Sequence, residues 1–155
     1  PGRTASNISA ETTLRLANDH KNIIATKEAS GNFSQVMQII KYKPANFQVI
    51  SGDDTLTLPL ICIGGTGVIS VVANAYPKQY ADMVRAALKA DLKTANRLHY
   101  LLTDFITALF EEGSPAGVKA AMELKKICGK EVRLPLVSAS EGLVKKIGKM
   151  VTEIG

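Results

Sequence analysis

The chain has 155 residues, 46% of them hydrophobic, with 19 Lys and Arg against 14 Asp and Glu and a formal net charge of +5. That length and apolar share are enough for a packed core, and no apolar run is long enough to cross a membrane as a helix. The basic balance raises nucleic acid as a partner, but the lysines are scattered and only 5% of residues are aromatic. The pairs Lys125-Lys126 and Lys145-Lys146 sit in amphipathic helical patterns and read as solvated helix faces. Neither nucleic acid nor a membrane is therefore expected as a partner.

The chain opens PGRT, without Met and without the charged-then-apolar pattern of a secretion signal. It reads as the downstream part of a longer chain. Residues 9–20 (SAETTLRLANDH) predict a helix with Ser9 as N-cap and Leu14, Leu16 and Ala17 on its apolar side. Residues 22–27 (NIIATK) predict a short buried strand. Residues 32–42 predict a helix capped by Asn32, with Phe33, Val36, Met37 and Ile40 at helical spacing and Pro44 as its stop. Residues 47–51 (FQVIS) predict a second strand. Residues 53–63 predict a short helix opened by Asp53 and Asp54, its course disturbed by Pro59. Residues 67–72 (GVISVV) predict a third strand, apolar on both faces.

Strands without polar alternation, each followed by a helical pattern, indicate a parallel sheet covered by helices. The expected strand ends, near Lys27, Gly52 and Val72, are spaced as βα repeats. Eight such repeats make a (β/α)8 barrel of roughly 250 residues. The fold expected is α/β: residues 1–76 as the C-terminal part of a TIM barrel, and residues 77–155 as a C-terminal helical domain. A flavodoxin-like open sheet is the alternative, but it does not normally end in a long helical tail. In that tail, Pro77 suits a first helical turn. Residues 78–91 and 93–111 predict helices with Met83, Ala87, Leu88, Leu98, Leu101, Leu102, Phe105 and Leu109 on their apolar faces. Pro115 opens a further helix through VKAAMELKKIC, ended by Gly129. A last helix covers 138–154, with Ser138 or Ser140 as N-cap.

Few residues suggest redox or metal chemistry. Cys62 and Cys128 lack CxxC spacing and read as reduced thiols rather than a disulfide. His20 and His99 are far apart, so no metal is expected. Lys27 stands out more. If Ile23 and Ala25 face the barrel interior, Lys27 does too, as the last inward residue at the C-terminal mouth of its strand. Enzymes of this fold place catalytic groups there. A partly desolvated amine at such a place can form a Schiff base with a carbonyl compound. The plainer alternative is a lysine reaching out to solvent. Gly52, in SGDD, either admits a ligand close to the backbone or is a turn glycine. GGTG (64–67) looks like a phosphate cradle but precedes a strand rather than a helix, which disfavours that role. Arg3 offers a planar fork suited to a carboxylate, or a surface salt bridge.

PGRT, IIATKEASGNFSQ, VISGDDTLTLPLICIGGTGVISVVAN and GSPAGVKAAMEL with RLPL together resemble the dihydrodipicolinate synthase family of pyruvate-dependent class I aldolases, related to N-acetylneuraminate lyase. The resemblance covers nearly the whole chain. It implies that Lys27 condenses with pyruvate to an imine and then an enamine, which attacks the aldehyde of aspartate semialdehyde in lysine and diaminopimelate biosynthesis. It implies that Arg3 binds the carboxylate of the aldehyde substrate, and that the backbone at Gly52 and Ile69 lines the pyruvate pocket. Arg3 in this context favours the synthase over the sialic-acid lyase branch. No cofactor is implied. The resemblance also implies a homotetramer built from dimers, in the bacterial cytosol or in plastids. The family's proton-relay tyrosines, its carboxylate-holding threonines and its lysine-feedback site lie upstream of PGRT. An isolated chain starting at Pro1 is therefore expected to be inactive without the N-terminal half of the barrel. A sister aldolase acting on a sugar acid and a non-catalytic paralogue are the alternatives.

Overall fold

A computed structural model describes residues 4–155; the expectation for Arg3 lies outside them. The first half alternates helix and strand. Helix α1 spans Ala10–Asp19, strand β1 Ala25–Glu28, helix α2 Phe33–Tyr42, strand β2 Gln48–Ser51, helix α3 Thr57–Cys62 and strand β3 Gly67–Val68. The three strands form one parallel sheet in the order β1-β2-β3, with Lys27 beside Ile50, Glu28 beside Ser51, and Ser51 beside Val68. Four helices follow: α4 Pro77–Leu88, α5 Leu92–Phe110, α6 Ala116–Leu124 and α7 Glu141–Ile154. None of the described helices is long and apolar enough to cross a membrane.

The helix starts follow their capping chemistry. Ser9, Asn32 and Ser140 each accept a hydrogen bond from a backbone N–H in the first turn, which satisfies a donor that has no partner inside the helix. Ser140, not Ser138, caps α7, and Pro77 occupies the first turn of α4.

Several expected boundaries move, each for a local reason. Strand β1 begins at Ala25 rather than Asn22, because Ile23 N–H turns back to the His20 carbonyl and pairing with β2 starts at the Ile24 carbonyl. Asp53 Oδ1 accepts the N–H groups of Thr55 and Leu56, holding residues 53–56 in a turn, so α3 starts only at Thr57. Pro59 then falls in its first turn, where no intrahelical N–H bond is lost. Strand β3 has two residues instead of six. Asp54 Oδ2 takes the N–H groups of Val71 and Val72 at 3.0 and 2.8 Å, and the chain turns into a 3-10 turn at Val72–Asn74. Helix α6 ends at Leu124 rather than at Gly129. Lys126 adopts φ +58°, and the Ile127 N–H closes on the Met122 carbonyl, a left-handed helix stop.

Two apolar clusters result. Ala10, Val36, Ile39, Phe47, Val49 and Leu60 join α1, α2 and the sheet. A larger cluster runs from Leu58, Ile61, Val72 and Tyr76 through Met83, Leu98, Leu102, Phe105 and Leu109 to Leu143 and Ile147. Helix α3 thus presents Leu60 to the first cluster and Leu58 and Ile61 to the second. Met37, Leu88 and Leu101, expected on apolar faces, are exposed, while Ile39 is fully buried. The lysine pairs also differ. Lys145 and Lys146 are exposed on α7, but Lys125 lies past the end of α6 with its ammonium 3.9 Å from the Tyr76 ring centroid, a cation–π contact rather than a solvated helix face.

Candidate functional site

Lys27 occupies the next-to-last position of β1, at the C-terminal end of the parallel sheet. It is exposed among the described residues. Its aliphatic stem lies against β2. A Cβ placed on Gly52 would stand 2.9 Å from Lys27 Cε, 3.1 Å from Lys27 Cγ and 2.7 Å from Ala29 Cβ. Gly52 is therefore required because Lys27 and Ala29 fill the space a side chain would need.

Strand geometry sends the next side chain to the opposite face. That residue is Glu28, only 8% exposed. Burying a carboxylate without partners is costly, and both of its oxygens are bonded. Oε1 accepts the Ser30 N–H at 2.6 Å and Oε2 accepts Gln35 Nε2 at 2.9 Å. The Glu28 carbonyl accepts the Gly52 N–H at 2.7 Å. Gln35, also buried, continues outward: its Oε1 accepts Asn7 Nδ2 at 2.8 Å, and its Nε2 donates to the Ile8 carbonyl at 3.3 Å. A cavity of about 260 Å³ lies between this N-terminal segment and the end of β1, with Lys27, Thr26, Ala29, Ser6 and Asn7 among its walls.

Ile69 follows β3 directly; its N–H donates to the Ser51 carbonyl at 2.9 Å, and it is 55% exposed. Lys27, Gly52 and Ile69 thus share the C-terminal end of the sheet, although Gly52 and Ile69 do not line the Lys27 cavity. GGTG has a structural explanation. Gly64 has φ +112°, and a Cβ on Gly65 would strike Leu60 Cδ2 at 1.9 Å. Cys62 and Cys128 are free and exposed. Among the described residues, no group of three His, Cys, Asp or Glu could hold a metal ion.

Glu28, Gln35 and Tyr80 were not singled out from the sequence, and Asp54 was read only as opening a helix. Asp54 is 3% exposed. Besides holding Val71 and Val72, it lies where the Tyr80 hydroxyl donates to its carbonyl at 2.9 Å, with Thr57 Oγ1 2.8 Å from the same hydroxyl. Burial pushes the Tyr80 phenol far above its usual value, so it stays a neutral donor. The one available signal was alternation: a charged residue beside an inward-facing lysine must point between sheet and helices and needs donors there.

A parallel βα layer with Lys27 at a strand end, followed by a long helical segment, defines an α/β protein. The chain belongs to the dihydrodipicolinate synthetase family, whose model matches residues 1–154. It is 50% identical over 154 residues to the 4-hydroxy-tetrahydrodipicolinate synthase of Phocaeicola vulgatus, covering 99% of this chain and 52% of that protein. The crystal structure of dihydrodipicolinate synthase from Aquifex aeolicus superposes with a TM-score of 0.95 at 39% identity, over 99% of this chain and 52% of the other. A monomeric dihydrodipicolinate synthase variant superposes with a TM-score of 0.95 at 38% identity, again over 99% and 52%. The chain therefore spans about half the length of the relatives it matches.

Proposed function

We propose that this chain is the C-terminal half of a 4-hydroxy-tetrahydrodipicolinate synthase, with Lys27 as the Schiff-base lysine. The observation that carries the reading is Lys27 at the C-terminal end of a parallel strand, its stem seated over Gly52, in a chain 50% identical to a synthase of that name. In this reading the Lys27 amine attacks the pyruvate carbonyl. Water leaves to give an imine, and loss of a methyl proton gives an enamine whose carbon adds to the aldehyde of aspartate semialdehyde. Arg3 binds the carboxylate of the aldehyde substrate, and the backbone at Gly52 and Ile69 borders the pyruvate. No metal or cofactor enters these steps.

The architecture supports an incomplete barrel. Strands β1 and β3 each have one neighbour in a three-stranded sheet, whereas a closed barrel leaves no strand edge. Ile24 and Ile69 stand 63% and 55% exposed, as large apolar side chains do where a covering surface is missing. Residues 1–76 form the C-terminal part of a (β/α)8 barrel and residues 77–155 the helical domain. The N-terminal half of the barrel is the obligatory partner, and the complete protein acts as a soluble cytosolic homotetramer. The test is synthesis from pyruvate and aspartate semialdehyde by the 155-residue chain alone and together with the missing half. Turnover by the chain alone overturns the half-barrel reading; no turnover by the folded complete protein overturns the synthase.

A further inference from the structure

We propose that Glu28 is a positioning residue for Lys27, a role that rests on the Schiff-base reading above. Lys27 and Glu28 are adjacent, and their side chains leave opposite faces of β1. Whatever fixes Glu28 therefore fixes the backbone that carries the Lys27 amine. Glu28 is bonded in three directions. Its carbonyl holds the Gly52 N–H at 2.7 Å, and Gly52 is the floor under the Lys27 stem. Its carboxylate holds the Ser30 N–H at 2.6 Å, which folds the loop after the strand back on the strand end. The other carboxylate oxygen holds Gln35 of α2 at 2.9 Å, and Gln35 in turn holds Asn7 and the Ile8 carbonyl. The Gly52 link runs through the Glu28 main chain, whereas the loop at Ser30 and helix α2 at Gln35 meet at the carboxylate of a residue that is 8% exposed.

A core position needing only a fold would take an apolar residue here, since an unpaired buried carboxylate is penalised. The carboxylate instead supplies two acceptors at fixed positions. Both donors are N–H groups, so the geometry calls for oxygen at each of the two sites. Glu28→Gln keeps size and shape but places an NH2 group against either the Ser30 N–H or the Gln35 amide. The swapped pair Glu28→Gln with Gln35→Glu restores a donor–acceptor match between the two side chains. The amide introduced at position 28 then donates to the carboxylate introduced at position 35, which still accepts from Asn7, while the long bond to the Ile8 carbonyl at 3.3 Å is given up.

The test measures how fast borohydride traps pyruvate on Lys27 in the full-length subunit at subsaturating pyruvate, alongside thermal unfolding. For Glu28→Gln the expected trapping rate is about 10-fold below wild type, since small misplacements of a reacting group cost one to two orders of magnitude. The swapped pair is expected to recover to within about 3-fold of wild type, because the side-chain match is regained. If Glu28→Gln does not fold, Asn7→Ala, at an exposed position, removes one link of the same chain; about 2-fold slower trapping is expected. A folded Glu28→Gln that traps pyruvate at the wild-type rate overturns the proposal, as does a folded swapped pair no faster than Glu28→Gln. A wild-type rate in Asn7→Ala does so where Glu28→Gln is unfolded. Absence of trapping in the wild-type protein overturns the Schiff-base reading and this proposal together.

Discussion

Lys27 and Gly52 interlock across neighbouring strands: the Lys27 stem fills the volume that any side chain at position 52 would require, with Cε 2.9 Å and Cγ 3.1 Å from the site of a Gly52 Cβ. Gly52→Ala should therefore push the lysine off its seat. Overpacking of this kind costs about 1–3 kcal/mol where neighbours cannot yield. Part of the contact is with a flexible lysine stem and part with Ala29, 2.7 Å away, so a value toward the lower end is expected. Denaturant unfolding gives the stability change, and pyruvate trapping should slow in parallel.

Lys27→Met should separate chemistry from folding. The side chain is exposed and has no hydrogen bond or ion pair among the described contacts, so loss of the ammonium should change stability by less than about 0.5 kcal/mol, as for other surface substitutions. Synthase activity of the full-length protein should disappear. Circular dichroism and thermal unfolding check the first statement, and turnover checks the second.

Asp54→Ala should destabilise the protein by about 2–4 kcal/mol, because the carboxylate is the acceptor for two backbone N–H groups where β3 gives way to the 3-10 turn. Tyr80→Phe removes the hydroxyl contacts to the Asp54 carbonyl and to Thr57 Oγ1 and should cost about 1 kcal/mol. Urea unfolding of the two variants should rank them in that order.

Gly117→Ala tests the packing of α6 on α5. Its Cβ would lie 2.3 Å from the Leu109 carbonyl oxygen and 2.8 Å from Leu109 Cα. Backbone cannot move aside as a side chain can, so a loss of about 3 kcal/mol or more is expected. A stability equal to wild type in chemical denaturation would contradict the close approach of these helices.

His99 gives the pH dependence a direction. Burial lowers its pKa below the usual 6.5, so the unfolded chain takes up the proton first as pH falls. The associated stability is present above about pH 6.5 and is lost as pH falls from there through the lower folded value. Thermal unfolding at pH 7 and pH 5 should show a smaller drop for His99→Leu than for wild type.

Much of the fold was legible from local chemistry. Ser9, Asn32 and Pro77 announce helix starts through capping and fixed φ, and each lies where expected. The shortened β3 was not legible, because the residue that ends it, Asp54, reaches 17 residues forward to Val71. Val and Ile at 68–72 favour a strand locally, and a tertiary hydrogen bond overrides that preference. At the candidate site, the KEASG stretch pointed to Lys27 through strand alternation. Glu28 needed its partner Gln35 to be seen, and that contact exists only once α2 has folded back over β1.

The central claim is that Lys27 forms a Schiff base with pyruvate. The most direct measurement is peptide mass spectrometry of the full-length protein after borohydride reduction in the presence of pyruvate. The account predicts a single stable adduct on Lys27, heavier by one reduced pyruvyl group, about 72 Da. A folded protein with no adduct, or with the adduct on another lysine, would contradict it.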